Sequence, residues 1–288
     1  MNETQKSIRI SAKMIAETIH KRNPISHKGT YGHAMIVAGS FGKMGAAVLA
    51  AKACLRTGVG LLSMYIPKCG YGILQTAVPE AMVVCDENEL HISEGMNTDN
   101  YDVLGIGCGI GTDAETAKVV KKMIQHFHKP MVIDADAINI LSKNKNWLKW
   151  VAAESIFTPH AVEFERLVGK YENDEERKLL QLRFSKEYDV YVVFKGHETF
   201  ISCPNGKTYC NTTGNAGMAK AGNGDALTGM LTALLAQGYS AEHSCIAGVY
   251  LHGLAGDIAS KERGEFSLLA SDLIDDIGNA FIEIRNEK

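Results

Sequence analysis

Residues 211–238, NTTGNAGMAKAGNGDALTGMLTALLAQG, pass without interruption from a polar, glycine-rich loop into a strongly periodic apolar helix. This junction constrains the fold more than any other stretch, because a helix with a buried face needs a layer to pack on and the loop must sit where that helix begins. Ala226, Leu227, Met230, Leu231, Leu234 and Leu235 recur at three- and four-residue spacing, and Gly238 supplies a stop. Gly214, Gly217, Gly222 and Gly224 allow backbone N–H groups to approach an anion. The first turn of the helix leaves its own donors free, with the positive end of its dipole facing that anion. Asp225 stands at the tip. A carboxylate there is repelled by a bound phosphate, so it acts either as a base for an attacking hydroxyl or as a helix cap.

The layer is supplied by the rest of the chain. Apolar runs at 34–38, 60–66, 81–84, 101–106, 131–135, 155–157 and 190–194 show no polar alternation, as expected of strands covered on both faces of a parallel sheet. Helical patterns lie between or after them, at 12–22, 46–57, 113–126, 173–188, 241–260 and 270–284, with Pro24 closing the first and Thr112 placed to cap the third. Residues 199–203 and 207–211, joined by Pro204-Asn205-Gly206, form a late β-hairpin that delivers the chain to the opening loop. This order predicts a mostly parallel three-layer α/β/α sandwich. The 288 residues, 45% hydrophobic, are read as one domain spanning 1–288.

Charge and cysteine usage narrow the partners. Thirty basic and 33 acidic residues, mixed along the chain for a net charge of −3, argue against a nucleic-acid or anionic-membrane surface. The seven cysteines are scattered without a C-x-x-C pair and are read as reduced and mostly buried. With no apolar run of membrane-spanning length and no signal pattern in MNETQKSIRI, the expectation is a soluble, cytoplasmic protein acting on a small molecule.

Three glycine turns stand at predicted strand ends, where open α/β sheets bind ligands: Gly39/Gly42/Gly45, Gly107/Gly109/Gly111 and the 222–225 loop. The first of these is not G-x-G-x-x-G, and tight helix packing explains its glycines equally well. Lys195, after a buried strand, can meet a phosphate as a point charge. His160 and Glu163 begin a helix together. Glu163 either holds a hydrated magnesium or satisfies the helix dipole. His197 either touches a nucleotide or is a solvated loop residue, His252 reads as a packed helix residue, and Trp147 and Trp150 as packing against a helix.

Seven ordered motifs carry a resemblance over almost the whole chain. They are HKGTYGH at 27–33, Gly39-Ser40 with Met44-Gly45-Ala46, Gly58-Val59-Gly60, VIDADA at 132–137, Thr158-Pro159-His160, Lys195-Gly196 with Thr199, and Gly214-Asn215 through Gly224-Asp225. The sequence resembles the ADP- or ATP-dependent NAD(P)H-hydrate dehydratases, a branch of the ribokinase-like superfamily. The resemblance implies dehydration of the S epimer of hydrated NADH or NADPH: ADP or ATP with Mg2+ phosphorylates the ring hydroxyl, and phosphate then leaves. It makes Asp225 the base and implies that Ala46, Gly109, His160 and Asp225 contact the hydrated cofactor. Lys195, Gly196, His197, Glu198, Thr199 and Gly224 would contact the nucleotide, with the N–H groups of Gly222, Asn223 and Gly224 on the phosphoryl group and Glu163 linked to magnesium through water. A separate NAD(P)H-hydrate epimerase would be the pathway partner, and a homotetramer the assembly. The chain departs from the family pattern at Ala161-Val162, where Pro-Gly is common, and before Asn223-Gly224-Asp225, where Gly-Gly is common and this chain has Lys220-Ala221-Gly222. The alternatives are a ribokinase-like kinase for a thiazole or pyrimidine alcohol and a non-catalytic nucleotide sensor.

Overall fold

The apolar runs become strands that send alternate side chains into two different cores. In the structure, a computed structural model describing residues 7–287, strand β2 (His33–Val37) points Met35 and Val37 to one face and Ala34 and Ile36 to the other. In chain order, the other strands are β1 (Ile8–Arg9), β3 (Leu61–Ile66), β4 (Met82–Cys85), β5 (Val103–Ile106), β6 (Met131–Ile133), β7 (Ile156–Phe157), β8 (Tyr191–Phe194), β9 (Thr199–Ser202) and β10 (Thr208–Asn211). Among the described residues they form one sheet in the order β1-β10-β9-β8-β7-β6-β5-β2-β3-β4. All neighbours are parallel except the β8-β9-β10 meander, so the late hairpin is where expected.

Helices α1 (Ala12–Thr18), α2 (Met44–Arg56) and α3 (Tyr71–Ala77) cover one face, together with α8 (Asn223–Ala236), α9 (Ala241–Arg263) and α10 (Ala270–Arg285). The other face carries α4 (Ala114–His126), α5 (Ala135–Lys143), α6 (Ala161–Val168) and α7 (Asp174–Tyr188). The three-layer sandwich therefore stands. Helix α8 is buried nearly all round, which suits its position between the sheet, α2 and α9. Each of its fully buried Leu and Met side chains contributes about 1.5–3 kcal/mol.

Three expectations need correction. The first helix stops at Thr18 rather than residue 22, because His20 leaves the helical path to stack on Tyr239, with ring centroids 5.0 Å apart, and its N–H donates to the Tyr239 hydroxyl. Asp113, not Thr112, occupies the cap position of α4, and its carbonyl accepts from Ala117 N at 2.8 Å. The run at 131–135 ends as a strand at Ile133, because Ala135 takes a left-handed backbone (φ 44°) and opens α5. The tryptophans do pack against a helix, with Lys121 of α4 above both rings. All seven cysteines are free, four of them buried. No helix among the described residues is long and apolar enough to cross a membrane.

The sheet order reverses between β2 and β5. From β2 the chain winds outward through β3 and β4, then returns to the other side of β2 at β5 and continues to β6, β7 and β8. Crevices at such reversals, beyond the carboxyl ends of the strands, are where open α/β sheets bind ligands.

Candidate active site

Two loops meet at that reversal. Gly39 N donates to Cys108 O at 2.8 Å and Ser40 Oγ to Gly109 O at 2.7 Å, which ties the loop after β2 to the loop after β5. Ala46 and Gly109 face each other across the join: a Cβ on Gly109 would lie 3.1 Å from that of Ala46. The next strand ends bring in charge. Asp134, at the end of β6 and only 1% exposed, accepts from Lys195 Nζ at 2.7 Å and from Thr228 Oγ1 at 2.8 Å. Lys195 follows β8, and its backbone N–H is fixed on Pro159 O at 2.9 Å.

The glycine-rich loop before α8 makes a left-handed turn at Gly222. Gly222 is the N-cap residue of α8 with φ 98°, and a Cβ there would meet Leu49 Cδ1 at 2.6 Å and Ala270 Cβ at 3.0 Å. Ala221 stays out of the positive-φ region, so the alanine introduces no backbone strain. Lys220 turns away from the loop and donates to the carbonyls of Phe266 and Leu268 at 2.6 and 2.8 Å. Gly222→Ala is expected to lower nucleotide affinity at least about tenfold and to destabilise the fold by about 1–2 kcal/mol from the left-handed backbone alone. Ala221→Gly should change stability by less than about 1 kcal/mol. Thermal melts and nucleotide titrations of the pair check both; equal behaviour of the two variants would contradict the loop geometry.

A cavity of about 770 Å³ opens over this loop. His160 and Glu163 line it from α6; Lys195, Gly196, His197 and Thr199 from the end of β8 and the start of β9; and Gly222, Asn223, Gly224 and Asp225 from α8. Glu198 is not part of the lining and instead accepts from Cys210 Sγ at 3.7 Å. Ala46 and Gly109 also lie outside the cavity wall. Cys108, next to Gly109 in the chain, is near enough to Asp225 for its thiol to act on the carboxyl.

Electrostatics assign the groups different states. Burial pushes the Asp225 carboxyl up to about 6; the Cys108 thiol and Lys195 oppose the shift, and Asp134 and Asp136 add to it. Burial would lower the Lys195 ammonium, but Asp134 and Glu163 outweigh it and hold the group above its ordinary value. Burial raises Glu163, with Lys195 pulling the other way. Glu163 also caps its helix, as one of the two readings of the sequence required. Its Oε2 accepts from His160 N at 2.9 Å and its Oε1 lies 3.2 Å from His160 Nε2, while His160 Nδ1 accepts from the N–H groups of Val162 and Glu163. Helix α6 therefore starts normally despite Ala161-Val162. Its one buried carboxylate suits a hydrated divalent cation held mainly by phosphate, and no group of three or more His, Cys, Asp or Glu among the described residues could chelate a metal directly.

Sequence reasoning missed Asp134, Thr228, Cys108 and His252. Asp134 enters the sequence reading only within the VIDADA motif at 132–137, without a role. Its partners Lys195 and Thr228 lie 61 and 94 residues away, so no local spacing announces them. His252 is a packed helix residue, as expected, but it also lines the cavity and donates from Nε2 to Asn223 O at 2.9 Å.

The ADP/ATP-dependent NAD(P)H-hydrate dehydratase of Bacillus subtilis, crystallised with ATP and Mg2+, has a similar structure, with a TM-score of 0.87 at 27% identity, covering 98% of this chain and 100% of that one. The ADP-dependent (S)-NAD(P)H-hydrate dehydratase of Neisseria meningitidis is 34% identical, covering 91% of this chain and 88% of the relative. The bifunctional NAD(P)H-hydrate repair enzyme of Moorella thermoacetica is 35% identical over 92% of this chain but only 52% of its own length, so the chain spans about half of such bifunctional relatives. The profile of the NAD(P)H-hydrate dehydratase family matches residues 34–279, a span that runs from β2 through the reversal and the anion loop into α10. Fold and sequence thus agree, and the chain belongs to the NAD(P)H-hydrate dehydratase family.

Proposed function

We propose that this protein dehydrates the S epimer of hydrated NADH or NADPH at the expense of ADP or ATP. The observation that carries the reading is Asp225, a carboxylate raised to about 6 at the head of an anion-binding helix, with the Asp134-held ammonium of Lys195 beside it. The nucleotide lies along Lys195, Gly196, His197 and Thr199, with Glu198 at the edge of the site, and its terminal phosphoryl group rests on the N–H groups of Gly222, Asn223 and Gly224. The hydrated ring approaches from the side of the reversal, where Ala46 and Gly109 join the two loops, and reaches His160 and Asp225.

Asp225 takes the proton from the ring hydroxyl as its oxygen attacks the phosphoryl group, and the loop donors balance the charge in transit. Phosphate then leaves where hydroxide could not. The ring nitrogen supplies the electron pair for C–O cleavage, and loss of the neighbouring C–H proton restores the dihydronicotinamide. Glu163 would hold Mg2+ through water, and the bound ion would neutralise charge on the phosphates. Such a cation is needed on charge grounds. Asp134, Glu163 and Asp225 line the cavity, whereas Lys220 is turned to backbone carbonyls and Lys195 is already paired.

A single domain across 1–288, a cytoplasmic homotetramer and a separate epimerase acting on the same hydrates complete the proposal. The chemistry is tested by mixing hydrated NADH with ADP or ATP and Mg2+ and following the dihydronicotinamide absorbance. Recovery of absorbance with one phosphate released per ring is the expected result. A stable phosphate ester would indicate a kinase, and nucleotide binding without turnover a sensor. The rate should also carry the signature of its base: because Asp225 works deprotonated, kcat/KM should fall about tenfold per pH unit below a midpoint near 6. A profile flat down to pH 5 would exclude Asp225 as the base.

A further inference from the structure

The loop that forms the anion site lies on α9, and small residues let it do so. A Cβ on Gly253 would run into Thr213, and one on Gly256 into Met218. Side chains then fasten the loop. Gly214 N donates to Asp257 Oδ2 at 2.9 Å, and Asn215 Nδ2 donates to Gly256 O at 3.0 Å and Asp257 Oδ1 at 2.9 Å. Closer to the reacting centre, Asn223 Nδ2 donates to Met218 O at 2.8 Å and more weakly to Lys220 O at 3.4 Å. His252, reaching up from α9, donates to Asn223 O at 2.9 Å.

Two details show which part of each side chain matters. Asn223 is 7% exposed, and its Oδ1 has no hydrogen-bond partner among the described residues. Leaving a buried acceptor unpaired costs about 1–3 kcal/mol, so the amide is held for its donors. A carbonyl can only accept, so the bond to Asn223 O requires the proton on Nε2 of His252; burial takes the ring down to about 4, and at neutral pH it is a neutral donor. Asn223 is the first residue of α8 and Asp225 the third. The turn that carries the base is therefore anchored from α9 through one imidazole, and the loop before it is closed by one amide.

We propose that Asn223 and His252 are positioning residues for phosphoryl transfer, holding the first turn of α8 and loop 218–222 so that the N–H donors and Asp225 meet the transferring group without rearrangement. Donors fixed in advance favour the transition state over the ground state, so their loosening appears in kcat more than in nucleotide binding. The proposal rests on the function proposed above.

His252→Leu removes the donor, His252→Gln retains an Nε2 donor, and Asn223→Ala opens the loop tie. With ADP and hydrated NADH, His252→Leu and Asn223→Ala should lose about 10- to 100-fold in kcat with nucleotide KM within about threefold, and His252→Gln should recover most of the loss. The midpoint of the pH profile should not move, as it would if His252 exchanged protons itself. Amide exchange of residues 218–224, measured with ADP alone, should rise about tenfold or more in the two disruptive variants. Equal loss in His252→Leu and His252→Gln, a change in KM alone, or unaltered exchange would each overturn the proposal. If His252→Leu does not fold, Asn223→Ala bears the same test. A wild-type protein with a protected loop but no dehydration would reject the function and leave the positioning role standing.

Discussion

Asp225→Asn is expected to lose about 10³-fold or more in dehydration and to melt at a higher temperature than the wild type. A positioned general base contributes about 10²–10⁴-fold, and asparagine keeps the shape of the side chain while removing its basicity. The gain in stability follows from the same burial that tunes the base. Asp225 is raised from 3.8 to about 6 in the folded protein, so its ionised form is less stable there than in the unfolded chain. Below about pH 3 the carboxyl is protonated in both states and exerts no penalty, and at pH 4 the penalty is still small. As pH rises through the interval up to 6, only the unfolded chain releases the proton, and folding stability falls by up to about 3 kcal/mol. The neutral amide escapes that loss. The wild type and Asp225→Asn should thus have similar stability at pH 4 and diverge towards pH 7, as denaturant titrations at both pH values would reveal. Wild-type turnover by the variant would defeat the mechanism, and a lower stability at pH 7 would defeat the account of the carboxylate.

What could be read from the sequence depended on the range of the interaction that determines it. Buried parallel strands announce themselves as short apolar runs, and the Asn205-Gly206 turn defines its hairpin locally, with Gly206 at φ 94°. Helix α8 and its loop were legible for the same reason, since cap, glycines and periodicity all lie within 211–238. Ends set by tertiary contact were not. The early stop of α1 depends on a ring stack between residues 20 and 239, and the strand that ends at Ile133 gives way to α5 through an alanine at positive φ, a conformation that alanine does not advertise. In the site, spacing could place Lys195 and Asp225 at strand and helix ends, but their state depends on Asp134 and Cys108, brought in by β6 and the loop after β5. Ala46 and Gly109 entered through family resemblance. The two residues lie close together where the strand order turns, a proximity that their separation in the sequence does not announce.

Lys195→Met should abolish nucleotide binding and also destabilise the protein, and a second substitution separates the two effects. Asp134 is 1% exposed and holds two donors, one of them the ammonium. Removing the cation leaves a buried carboxylate that, among the described residues, keeps the Thr228 hydroxyl as its one side-chain donor, and breaking a buried ion pair from one side costs about 3–5 kcal/mol. Adding Asp134→Asn to Lys195→Met removes the orphaned charge, so most of that stability should return while nucleotide affinity stays at least about 100-fold below wild type, because the cation is still absent. The pH dependence has a definite sign. Lys195 is raised above 10.5, so the contribution of the pair is complete at neutral pH and is lost only as pH climbs through that elevated value. Stability differences between Lys195→Met and the wild type should hold from pH 6 to 9, unlike those of Asp225→Asn. If the double variant regains nucleotide affinity along with stability, Lys195 acts only as the counterion of Asp134 and the phosphate site must lie elsewhere; if it regains stability alone, the ammonium has a second partner, and the anion loop of α8, with Gly224 next to Lys195 Nζ, is where that partner binds.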